Sequence, residues 1–274
     1  MSSASDSHNH VEHYVDMWTF PSAEQMTWDV ASKTYAMPSA FKLALLVSGA
    51  LAVLGIIGFA LRIMTDGFAN HGPWGYYMAI FSFIFLVSSS APLAAIAFRI
   101  TKNHWYRPMA RVSGLFAVIG VLNVLMFIPL MMALPPIQNP EFGQGLPGEL
   151  DIRRTIWIQV PIGAPHWWDL LGIISLAVAS LAILWLSSVP DMAEARLSST
   201  GWRRKVYSLL AGHWYGTKRQ WAYQKAHLAI MGALYFMMLI FVHFLIVSDY
   251  GMSMIPGWKD SILPPFYSVL GLQT

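Results

Sequence analysis

Five apolar runs, at 41–64, 74–98, 112–134, 167–189 and 227–248, constrain this chain more than any other feature in it. None is shorter than 22 residues, and about 20 apolar residues in a helix cover a hydrocarbon core of roughly 30 Å. Lipid offers the backbone no hydrogen bonds, so segments that cross it as single runs must be helices that satisfy themselves. The expected fold class is an all-α integral membrane protein: a multi-helix transmembrane bundle with five complete spans and the start of a sixth at 266–274. Composition agrees, with 11% charged residues against about 25% in an ordinary soluble domain.

The absence of cysteine excludes a disulfide framework, a thiolate-held iron–sulfur cluster, covalent c-type haem attachment and a thiol nucleophile in this chain. The basic pI of about 9.1 does not point to nucleic acid, because the positive charges gather in two loops between apolar runs. Loop 99–111 holds four basic residues and no acidic one, and 190–226 holds seven basic against two acidic. The connections at 65–73, 135–165 and 249–263 each carry a net charge of −1. Basic loops face the cytoplasm, so the N-terminus is expected there.

Residues 1–40 then form a polar cytoplasmic segment with five acids against Lys33, and 41–274 form the membrane domain. This first segment has no apolar core of the kind a signal peptide needs. Its His8, His10 and His13 read as solvated residues near a terminus rather than as a metal site.

Ionisable groups in or beside lipid are costly and mark function by default. The topology gathers several at the outer level. Asp169 opens the fourth span just after Trp167 and Trp168, with His166 one helical turn before it, and Asp249 closes the fifth span. Tyr76, Tyr77 and His71 lie at the same level. His243 lies six residues before Asp249, about 9 Å deeper along a helix and on a different face. An apolar cavity rimmed by carboxylates and imidazoles suits a lipophilic molecule that releases protons, such as a quinol. His243 has a second reading, as a histidine that hydrogen-bonds one helix to another. Because no other histidine lies well inside a span, ligation of haem by two histidines of this chain is not expected.

The residues also carry a resemblance. Ile255-Pro256-Gly257-Trp258-Lys259-Asp260-Ser261-Ile262-Leu263-Pro264-Pro265-Phe266-Tyr267, preceded by Val242-His243 and Ser248-Asp249, resembles a motif of the NrfD-like membrane subunits. Trp168-Asp169, Pro190-Asp191-Met192-Ala193-Glu194-Ala195-Arg196 and Trp105-x-Arg107-Pro108-x-x-Arg111 look like further segments of that family. The chain is most similar to the quinol-interacting subunits of alternative complex III, relatives of the polysulfide reductase membrane subunit.

The resemblance implies a bundle without redox centres of its own, in a bacterial inner (cytoplasmic) membrane. It implies a menaquinol or other quinol as exchangeable ligand, with haem and iron–sulfur clusters on partner subunits. Those partners would be an iron–sulfur protein on the outer face, other membrane subunits including a second NrfD-like one, and a multi-haem cytochrome c. Asp169, Asp249, His243 and His166 would serve quinol binding and proton relay, with Tyr76, Tyr77 and Trp168 at the rim. The chain departs from the family pattern in having Lys259 where a histidine is usual, and Ser113-Gly114 where a glutamate often follows Arg111. These departures suit a second reading, a structural anchor without its own quinol site; a third, a proton-translocating module, would need a polar route to the cytoplasm, for which the spans offer little beyond Ser88–Ser90 and Asn123.

Overall fold

The computed structural model describes residues 22, 25, 28, 37–67, 71–100, 106–133, 164–247, 249 and 262–273, without the side chains of 71–73, 98–100, 106–108, 132–133, 164–166 and 272–273. The histidines at 8, 10 and 13, the connection at 135–163 and the turn around Pro256 lie outside the described residues, as do the side chains of His71 and His166. Among the described residues the chain is helical and has no strand. Five helices are long and apolar enough to cross a membrane.

Helix α1 (Ser39–Asp66) ends at Gly67, whose φ of 59° a side chain would disfavour and whose N–H bonds Ile63 O at 3.0 Å. Every residue of α1 up to Gly58 is exposed. The helix meets the rest near its end, where Phe59 lies 5.9 Å from Trp74 and stacks at 5.3 Å on Tyr77. α2 (His71–Ile100) runs through the middle of the bundle. The third span is α3 (Tyr106–Leu115), one tight turn at Phe116–Val118, and α4 (Ile119–Ala133). α5 (Ala164–Ser198) and α6 (Gly201–Ala211) precede α7 (Lys218–Ile246), and α8 (Leu263–Gln273) lies against α2 and α7. The core between α2, α4, α5 and α7 is built on Phe81, Phe85, Phe127, Leu176, Tyr235 and Leu239.

Two sequence expectations need correction. The fourth span does not end at Pro190, because α5 continues eight residues further to Ser198. Residues 190–226 are not a loop, because they contain the end of α5, all of α6 and the first two turns of α7. The start of α7 is fixed by a capping box in which Thr217 and Gln220 satisfy each other's backbone N–H groups. α8 has 11 residues, about 16 Å of helix, which is short of a full crossing.

Prolines explain how these helices hold together. A proline inside a helix has no N–H for the carbonyl four residues back and strains the turn around it. In lipid, that carbonyl needs a donor from elsewhere. At Pro190 the deprived carbonyl is that of Leu186, and Gln224 of α7 donates its Nε2 to it at 2.7 Å. Near Pro92, the Tyr235 hydroxyl donates to Ser89 O at 2.5 Å. Near Pro129, the Tyr77 hydroxyl donates to Met126 O at 2.9 Å. At Pro190 the bond meets the deprived carbonyl itself, and near Pro92 and Pro129 it meets the neighbouring one; all three tie two helices together. Gln224→Leu should leave Leu186 O without a donor and destabilise the fold by about 1–3 kcal/mol, seen as a lower melting temperature in detergent. An unchanged melt would show that water reaches that carbonyl.

At the basic end, Arg111 of α3 pairs with Asp191 of α5 at 2.8 Å, which brings two of the family-like segments together. Both side chains are largely exposed, so the pair fixes register more than it stabilises. Arg196 donates to Gly212 O and Trp214 O, each at 2.9 Å, and Trp185 donates to Leu210 O at 3.0 Å. These bonds fasten α6 along the end of α5.

Candidate functional site

Asp169 lies in the second turn of α5, and Asp249 lies just past the end of α7. Both are buried, at 0% and 5% exposure. The helix does begin early enough, at Ala164, to place His166 and Asp169 one turn apart on the backbone. The carboxyl groups of Asp169 and Asp249 are within hydrogen-bonding reach of each other. Neither oxygen of Asp169 receives a donor from the described residues, whereas Trp168 donates its indole N–H to Asp249 Oδ2 at 2.6 Å. The neighbouring Trp168 and Asp169 thus both address Asp249.

Two buried carboxylates facing each other cannot both stay ionised, and one proton between them satisfies both. Such a pair holds one proton between its two carboxyls and has room to accept a second. Burial pushes Asp249 up from the usual carboxylate range to about 6, against the pull of the Trp168 indole.

That shift has a sign. A carboxyl whose folded value is raised binds more protons folded than unfolded in this range, so stability falls as pH rises. The contribution is fully present below about 4 and is lost as pH passes through about 6. The protein should therefore melt at a lower temperature at pH 7.5 than at pH 4.5, and Asp249→Asn should flatten that part of the profile. A wild-type melt that rises with pH over this window, with the slope unaltered in Asp249→Asn, would contradict the assignment.

His243 turns elsewhere. It is wholly buried, and its Nε2 lies 2.8 Å from Ser89 Oγ on α2. The Ser89 hydroxyl gives its proton to Phe85 O, so Nε2 carries the imidazole hydrogen and donates. Nδ1 is left as an acceptor without a donor among the described residues. Phe85 and Tyr267 flank the ring edge-on at 5.1 and 5.4 Å, and Tyr267 is itself held by a bond to Ser82 O at 2.6 Å. His243 thus hydrogen-bonds α7 to α2, the contact that the second sequence reading expects.

The candidate rim residues separate. Trp168 belongs to the carboxyl pair. Tyr77 is committed to α4, and Tyr76 is 79% exposed, so neither takes part in the pair. Sequence reasoning missed Tyr235 and Gln224 because their partners are backbone carbonyls of other helices. A polar side chain in or at the edge of a span, with a proline in another span, is the signal that finds them. Two cavities among the bundle helices hold about 10 and 20 Å³, the size of a water and far below a quinol ring. No protein-family model matches the chain, and no curated protein matches it.

Proposed function

We propose that this chain is a NrfD-like membrane subunit of a quinol-oxidising electron-transfer complex, and that the Asp169–Asp249 pair is its proton-accepting group. The observation that carries this reading is the pair itself: two buried carboxyls at one end of the bundle, with a tryptophan addressing one of them. Quinol oxidation to quinone releases two protons and two electrons. The pair supplies a base for one quinol hydroxyl within reach of the ring oxygens, and the second proton leaves after the first has passed on. The electrons go to an iron–sulfur partner, since this chain has no cysteine to hold a cluster. The ring sits at the rim against Trp168 rather than inside the bundle, where the cavities are water-sized. Under the positive-inside rule this rim is the outer face.

The water-sized cavities also favour a second reading, in which the chain anchors and braces its neighbours without a ligand. A photoreactive quinone analogue bound to the assembled complex in lipid discs separates the two. Label on the peptides around Trp168 and Asp249, competed away by quinol, supports the site. Label confined to other subunits supports the anchor.

A further inference from the structure

Asn123 of α4 is 2% exposed and donates its Nδ2 to Ser88 Oγ of α2 at 2.8 Å, while its Oδ1 receives no donor from the described residues. It borders the cavity of about 10 Å³, whose other polar lining is Ser88, Ser89, Ser180 and Tyr235. Three hydroxyls of that lining give their protons to backbone carbonyls. Ser180 donates to Ala177 O at 2.9 Å and Tyr235 to Ser89 O at 2.5 Å. Ser89 donates to Phe85 O, and Ser88 reaches the same oxygen loosely at 3.5 Å.

A hydroxyl that has given its proton away has only lone pairs left to offer. Among the described residues the cavity therefore presents mostly acceptors. A buried amide oxygen left in that state is costly. No carboxylate lines the cavity to offset a positive charge, so the missing donor is neutral. A buried water needs about 10–15 Å³ and two to four polar partners, and the cavity meets both requirements.

We propose that this cavity is a binding site for one water molecule, which donates its two hydrogens to Asn123 Oδ1 and Ser180 Oγ. The water would join α4 to α5 in the middle of the bundle, beside the Ser89–His243 bond that joins α2 to α7. It is a structural ligand and does not depend on the quinol reading. A map of the full chain in its complex, at a resolution that shows ordered waters, should place a peak at about 2.7–3.1 Å from both oxygens. Asn123 and Ser180 would also be coupled through the water. The Asn123→Ala, Ser180→Ala double variant should then lose less melting temperature than the two single losses added together. An empty cavity, a peak at the shorter distances of a coordinated metal ion, or additive losses would each overturn the proposal.

Discussion

Asp169→Asn should lower quinol:acceptor turnover of the assembled complex by roughly 100-fold while leaving assembly intact. Asparagine keeps the shape of the side chain, so α5 should pack unchanged. The chemistry differs, because an amide cannot accept the proton that a carboxylate takes from a quinol hydroxyl. The amide introduced at position 169 would also donate to Asp249 and hold it as a plain carboxylate. The value of about 6 for Asp249 should then fall, and the acid limb of any residual pH profile should move down with it. Subunit composition and melting temperature of the purified complex serve as the control. Turnover equal to wild type, with the complex intact, would remove Asp169 from the proton path.

Gly271→Ala should be the most damaging single-methyl change at the described helix contacts around His243. A Cβ at Gly271 would come within 2.8 Å of both Cε1 and Nδ1 of His243, and within 3.0 Å of Leu86 Cδ1. The end of a flexible side chain could swing aside, but this ring cannot. Ser89 holds its Nε2 at 2.8 Å, and Phe85 and Tyr267 pack edge-on against it. Overpacking of this kind costs about 1–3 kcal/mol, and each kcal/mol lowers the melting temperature of a chain this size by roughly 2–4 °C. The cause can be isolated by pairing Gly271→Ala with His243→Ala, which removes the ring. The double variant should then lose less than the sum of the single losses. Strict additivity would mean that α8 does not rest on His243.

The five spans were legible in the sequence because hydropathy over 20 residues is a direct consequence of bilayer thickness. So was the placement of Asp169 and Asp249 at one end, since alternating spans put the start of the fourth and the end of the fifth on the same side. Helix ends were less legible. Pro190 looks like a terminator, and local backbone chemistry supports that. α5 continues through it because Gln224, on another helix, supplies a donor that no local pattern announces. The same limit hid α6. Its Arg203, Arg204 and Lys205 fitted a basic loop, while Arg196 and Trp185 fasten it along α5 through backbone carbonyls.

At the site, the sequence offered His243 as a relay or as a bond between helices. The bond itself depends on the position of Ser89, 154 residues away. Trp168 was legible as an interfacial aromatic, but its hydrogen bond to Asp249 required the two helix ends to meet. The pairing of the two aspartates was likewise beyond a one-dimensional pattern, which gave their common level and not their mutual approach.

The central claim is that Asp169 and Asp249 share one proton and that this proton inventory changes when quinol is oxidised. Infrared difference spectroscopy of the intact complex, recorded between quinol-reduced and oxidised states, tests it most directly. The account predicts a carbonyl stretch of a protonated carboxylic acid that appears or shifts on oxidation, moves in heavy water, and is lost in both Asp169→Asn and Asp249→Asn. A difference spectrum in the carboxylic-acid region identical among the wild type and the two variants would contradict it.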